Sequence, residues 1–379
     1  MCDEKILLAP DSYKGSLTAL EVCQAMETGI RRVLPEVELV QLPMADGGEG
    51  TVQSLVDATK GKLLKAEVTG PLGEAVEAHF GILGDGVTGV IEMAEASGLN
   101  HVNSVTQNPL VTTTYGTGEL IKLLIEAGIT KIILGLGGSA TNDGGAGMAQ
   151  ALGYELIDFN GSVIGFGGGA LDKLDNILTE KVHPKLKDVS FIVASDVTNP
   201  LCGPNGATSV FGPQKGASLE DVDILEANLK HYSRVIERSL GHEVMDIPGS
   251  GAAGGLGAGL LAFTQAEMKR GIDIVLEYSG FKEKAKGVDV CFTGEGAMDF
   301  QTKFGKTPHG VAKAMKEINP DAKVIAVVGK VGEDIEELYP EGIDAVFPTA
   351  AGASSLEELI EKASENVSRT VENIVRVMG

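Results

Sequence analysis

Five polar segments, four of them with glycine, each close a run that reads as a strand: APDSYKGS, MADGGEG, GGSATNDGG, ASDVTNPL and TGEGAMDFQTKFGK. Every one carries at least one carboxylate. A single Asp in such a loop is ordinarily a helix N-cap or an Asx turn, but five loops of the same character point to shared chemistry. Phosphoryl transfer matches this set of residue types. It needs N–H groups and cations around the phosphates, a carboxylate to hold a divalent metal, and an acid to orient or deprotonate the attacking hydroxyl. Lys14, Lys215 and Lys306 lie inside glycine-containing stretches, where backbone N–H groups assist a lysine in holding an anion locally.

Two general nucleotide motifs do not account for these loops. Gly305–Thr307 resembles the end of a phosphate-binding P-loop, but Phe300 stands where that motif requires its first glycine. GLGGSA, from Gly135 to Ala140, satisfies a dinucleotide fingerprint and Asp158 follows at ribose-binding distance. The polar TNDGG that comes next stands where the fingerprint needs the apolar face of a helix. An NAD-dependent dehydrogenase of a small hydroxy acid is therefore one alternative, and a non-catalytic sugar-acid-binding regulator is another.

The elements that must position these loops follow an α/β rhythm. KILLAP, a helical pattern through LTALEVCQAMETGIRRVL, VELVQLP and TVQSLVDATKG make two β-loop-α units, and ligands of parallel sheets bind at strand C-terminal ends. From Lys62 to Met93 three short strands with Gly/Pro turns predict an antiparallel meander. A helix around 118–128, the strand KIILGLGG, a helix start at TNDGGAGMAQAL, the strand SFIVASD and a helix over 219–240 follow. GSGAAGGLGAGLLAF reads as a close-packing tract. The rhythm returns with VDVCFTGEG, a helix over 309–318, KVIAVVG, DAVFPTA and a helix from Ser355. The expected architecture is a Rossmann-like α/β domain built from 1–62 and 286–379, with a mixed α/β domain, 63–285, inserted and an active site in the cleft between them.

Composition narrows the function classes. The 379 residues include 51 glycines, 4% aromatics and no Trp, so glycine is concentrated in loops and tight contacts. A formal charge of −22 with no basic run excludes a duplex-binding surface. Cys2, Cys23, Cys202 and Cys291 lack zinc-site or disulfide spacing, and the acidic N-terminal start is unlike a secretory signal or a membrane span. These features predict a soluble cytoplasmic protein. His79, His101, His183, His231, His242 and His309 are dispersed without metal-ligand spacing.

Ten segments, from APDSYKGSLTALEV and PMADGGEGTV through GLGGSATNDGGAGMAQALG and SDVTNPLCGPNGA to TGEGAMDFQTKFGKTPHGVAK, occur in the order found in type 1 glycerate kinases. The chain resembles that family over nearly its whole length. The resemblance implies two α/β domains facing a cleft and ATP-dependent, Mg²⁺-assisted phosphorylation of D-glycerate, typically at the 2-hydroxyl. Carried onto this sequence, it places these loops at the cleft; the roles assigned within them are our own reading, with Asp196, Asp46 and Lys14 as catalytic residues and Asp196 or Asp46 taking the hydroxyl proton. Asp11, Ser12, Gly47, Gly48, Ser139, Thr141, Asn142, Asp143 and Asn199 are expected at the substrate. Gly137, Gly138, Lys215, Gln301 and Lys306 are expected at the nucleotide, and Glu295 and Asp299 at Mg²⁺. Where many members of the family carry Arg after GEG, this chain has Ala297, which would shift the load to Lys303 or Lys306.

Overall fold

A computed structural model describes residues 5–378, so Cys2 lies outside the described residues. The chain separates into two compact units. A terminal unit combines 5–61 with 270–378, and an inserted unit spans Lys62–Lys269. The chain opens with β1 (Lys5–Leu8), α1 (Ala19–Arg31), β2 (Glu38–Gln41) and α2 (Thr51–Thr59). Thr18 fixes the start of α1 reciprocally: its hydroxyl accepts Glu21 N–H at 3.2 Å while the Glu21 carboxylate accepts Thr18 N–H at 2.8 Å.

The inserted unit begins with β3 (Lys62–Thr69), β4 (Ala75–Ile82), β5 (Thr88–Glu92), α3 (Ala94–Ser97), α4 (Tyr115–Glu126), β6 (Lys131–Gly135) and α5 (Ala146–Ala151). It continues through β7 (Glu155–Ile157), β8 (Asn176–Leu178), β9 (Ser190–Ala194), α6 (Ala207–Phe211), α7 (Leu219–Leu240), α8 (Leu256–Thr264) and β10 (Glu267–Lys269). Its main sheet has the order β10-β9-β6-β5-β4-β3. The predicted meander β3-β4-β5 is antiparallel, and β5 then pairs parallel with β6, so the meander is the edge of a larger mixed sheet. The second glycine tract packs closely, as expected: a Cβ on Gly259 would lie 2.6 Å from the Gly144 carbonyl oxygen, and one on Gly254 only 1.9 Å from that of Thr141.

The chain returns with α9 (Gly271–Tyr278), α10 (Phe281–Lys284), β11 (Val290–Thr293), β12 (Ala297–Met298), α11 (Thr307–Ile318) and β13 (Lys323–Val328). It ends with β14 (Lys330–Val331), β15 (Ala345–Pro348), α12 (Leu356–Glu361) and α13 (Ala363–Met378). The return comes earlier than the expected boundary at 285. Segment 270–285 belongs to the terminal unit because Gly271 is pressed against the Asp46 carbonyl, where a Cβ would lie 1.7 Å away, and Lys284 Nζ donates to Ala58 O at 2.9 Å. The single helix expected from Ser355 is two, divided at Lys362.

All five strands of the terminal sheet are parallel, in the order β15-β13-β11-β1-β2. Numbered by appearance within this unit, that order is 2-1-3-4-5. Such doubly wound sheets open a crevice where the winding direction reverses, between β1 and β11, at the strand C-terminal ends. Each unit has its own apolar core. Ile6, Leu8, Phe292, Val327, Val367 and Val371 contribute to one, and Ile91, Leu120, Leu134, Val193, Leu229 and Leu260 to the other.

Candidate active site

The loops after β1 and β11 run side by side beyond the sheet. Ala9 N–H donates to Phe292 O and Asp11 N–H to Gly294 O, both at 2.8 Å, while the Thr293 hydroxyl donates to Ala9 O at 2.9 Å. Gly294 is obligatory, since a Cβ there would lie 1.8 Å from Val327 O. This ladder delivers Asp11 and Glu295 to the mouth of the β1/β11 crevice, and Asp46 reaches it from the loop after β2. Asp11 accepts Ser12 N–H at 2.6 Å and the Thr307 hydroxyl at 2.5 Å. Glu295 accepts the Thr302 hydroxyl at 2.8 Å and faces Lys306 Nζ at 3.6 Å.

Electrostatics mark the three carboxylates as one group. Burial, then the charge of Asp46 and more weakly that of Glu295, push Asp11 up to about 7 against the opposing bonds from Thr307 and Ser12. Burial likewise pushes Glu295 up to about 7, with Asp46 adding to the rise and Lys306 and Thr302 opposing it. Like charges out of water favour the neutral acid until a cation arrives. Gly47, at φ 93°, gives the loop after β2 its turn, and Gly48 N–H donates to Asp46 at 3.2 Å.

Other expected residues of this unit are placed differently. Lys14 is 82% exposed and pairs with Glu49 at 3.0 Å. Asp299 accepts Gln301 N–H at 2.9 Å and caps the short 3-10 turn Phe300–Phe304, so its carboxylate serves the backbone first. The Gln301 side chain is exposed. Lys303, one of the two lysines expected to take up the load of the missing arginine, is paired with Glu337.

In the inserted unit, Gly137 and Gly138 stand exposed beyond β6, and Ser139 to Asp143 turn inward. Leu99 N–H donates to Gly138 O and Ala140 N–H to Ser97 O, tying this loop to α3. A dinucleotide-binding helix would open here, yet α5 starts only at Ala146, and Asp158 is spent on Asn160 and Ser162 N–H groups. The nicotinamide alternative loses its structural basis. Lys215, expected at nucleotide phosphates, is 2% exposed. Its ammonium donates to Thr141 O at 2.6 Å and Ser139 Oγ at 3.2 Å, bracing the loop from within, and burial pulls it down to about 7.

Asp143 is also internal. It accepts the Thr114 N–H and hydroxyl, Gly145 N–H and Gly147 N–H, and thereby joins the starts of α4 and α5. Asn142 is buried, with its amide donating to the Thr208 hydroxyl at 2.8 Å and Oδ1 without a protein partner. Asp196 is exposed just past β9, and Asn199 donates to Asn205 O at 2.8 Å. Thr307, Thr302, Thr114 and Thr208 were not singled out from sequence. Thr307 lies in the GKT stretch set aside as a failed P-loop, which was the available signal.

Fold and site together define a class: an α/β phosphotransferase of two units, with carboxylates gathered at a switch point of its parallel sheet. The profile of the glycerate kinase family matches residues 6–379, and the chain belongs to that family. It is 53% identical over 370 residues to the glycerate kinase of Bacillus subtilis (strain 168), covering 98% of this chain and 96% of the relative. It is 50% identical over 375 residues to the glycerate 2-kinase of Escherichia coli (strain K12), covering 99% and 98%. A solved structure from Salmonella typhimurium LT2, described as a glycerate kinase 2, superposes with a TM-score of 0.91 at 46% identity, covering 99% and 98%.

Proposed function

We infer that the chain transfers a phosphoryl group from ATP to D-glycerate, at the 2-hydroxyl, giving 2-phosphoglycerate and ADP. The observation that carries the reading is the convergence of Asp11, Asp46 and Glu295 at the β1/β11 crevice, with two of the three held near 7 by burial and mutual repulsion. Similarity to the Escherichia coli glycerate 2-kinase supports both the substrate and the position.

The donor set fits Mg²⁺ arriving with the nucleotide. Among the described residues no three His, Cys, Asp or Glu side chains form a metal cage, and none is needed, because Mg²⁺ is usually held by one or two carboxylates, phosphate oxygens and water. Glu295 and Asp11 would hold it, and bound there it would neutralise charge on the phosphates. The chain's own residues do the rest. Thr307 orients Asp11, Lys306 balances Glu295, and Asp46 or Asp196 takes the hydroxyl proton.

The test is ADP release with D-glycerate, ATP and Mg²⁺, with the product identified by phosphorus NMR. Formation of 2-phosphoglycerate is expected; 3-phosphoglycerate would overturn the position, and a folded sample without turnover would overturn the substrate. Replacing Asp46 and Asp196 singly with Asn discriminates the proton acceptor. The variant of the true acceptor loses turnover by roughly 10²–10⁴-fold without a matching loss of thermal stability.

A further inference from the structure

Four lysines lie in the loops that follow the strands of the terminal sheet: Lys14, Lys303, Lys306 and Lys330. Three of them face a carboxylate. Lys14 faces Glu49, Lys303 faces Glu337 and Lys306 faces Glu295. Among the described residues the Lys330 ammonium has no ion-pair or hydrogen-bond partner, and its side chain is exposed.

The backbone holds Lys330 at the crevice. It follows β13, the neighbour of β11, after a single glycine. Gly329 N–H donates to Glu295 O at 3.2 Å and Lys330 N–H to Gly296 O at 3.0 Å. The approach needs glycine, since a Cβ on Gly329 would lie 2.5 Å from Gly296 O. The parallel ribbon β12-β14 then sets Lys330 opposite Ala297 and Val331 opposite Met298. Partners in register share a face, and here the exposed pair is Ala297 and Lys330 while Met298 is buried on the other face. The backbone of a lysine with an unpaired ammonium is thus fixed opposite the residue two beyond Glu295, beside a methyl group that leaves room for a ligand.

We propose that Lys330 is a nucleotide-binding residue that contacts the anionic phosphate oxygens of ATP at the β1/β11 crevice. The inference rests on the reading of that crevice as the phosphoryl-transfer site. Charge balance favours phosphate over the hydroxy-acid carboxylate. The crevice already holds three carboxylates, with Lys306 committed to Glu295, so a triphosphate that brings one divalent cation still needs a free positive charge. Lys330 alone among the four is not already paired.

The experiment is steady-state kinetics of the full chain with Lys330→Gln, Lys330→Arg and the double variant Lys330→Gln/Ala297→Arg, varying ATP and D-glycerate in turn. Lys330→Gln raises KM for ATP by roughly 10- to 100-fold, the loss expected for a charged hydrogen bond, with KM for glycerate within about twofold of wild type. Lys330→Arg retains most of the affinity. The double variant recovers part of it, because position 297 reaches the same place from the paired strand, and a merely structural role for Lys330 would not allow that rescue. An unchanged KM for ATP, or a rise confined to KM for glycerate, overturns the proposal. Should wild type prove inactive on glycerate, the functional reading fails separately, and calorimetric binding of Mg-ATP to wild type and Lys330→Gln still decides the role of Lys330.

Discussion

Lys215 and the pair Asp11 and Glu295 illustrate opposite consequences of burying a charge. The Lys215 amine titrates near 7 in the fold against 10.5 for the free side chain. Between those values the unfolded chain binds more protons, so this group makes stability rise with pH across that window. Asp11 and Glu295 move the other way, from 3.8 and 4.5 up to about 7. Between roughly 4 and 7 the folded chain holds more protons, so these groups make stability fall as pH rises and add no further slope above 7. Urea unfolding across pH should therefore separate the variants. Relative to wild type, Lys215→Met loses the gain between about 7 and 10.5, and Asp11→Asn loses part of the decline between about 4 and 7. Profiles parallel to wild type would mean that these side chains are solvated as freely in the fold as in the unfolded chain.

At the scale of elements, the crossing of α1 and α13 is set by one glycine. A Cβ on Gly29 would lie 2.2 Å from the Ser368 carbonyl oxygen, so Gly29→Ala must push the helices apart. A cost of about 1–3 kcal/mol is expected for such overpacking, read as a lower urea midpoint with turnover per folded molecule unchanged. How legible an element was in the sequence depended on how local its cause is. The helix over 219–240 was readable because its causes are local: apolar spacing lies within it, and the Ser218–Asp221 box and Gly241 stand at its two ends. The split at Lys362 and the return at 270 were not, because they follow from packing against distant segments. The site divides in the same way. Asp11, Asp46 and Glu295 stood out as carboxylates in glycine-rich loops. By contrast, Thr307 meets Asp11 across 296 positions and Lys215 meets Ser139 across 76, and no spacing rule connects residues so far apart. Lys215 read as a phosphate cation because the sequence shows its charge but not its burial.

For the whole molecule, the two units differ in how their chains are assembled. The inserted unit is one continuous stretch with its own core, drawn from Val68 to Ala266. Residues 62–269 produced alone are expected to unfold cooperatively and to give a dispersed amide NMR spectrum, whereas a collapsed spectrum would show that this core needs the rest of the chain. The terminal unit has no such independence. β1 stands inside its sheet between β2 and β11, and the Thr293 bond to Ala9 joins positions 284 apart. On the ribosome, at 5–20 residues per second, β1 waits roughly 15–60 s for that neighbour to be made. Strand β1 therefore completes its pairing only after the whole inserted unit has been made. Through that interval the apolar strand has an unfilled side, and the nascent chain must be kept from pairing with others until Val290 has left the exit tunnel.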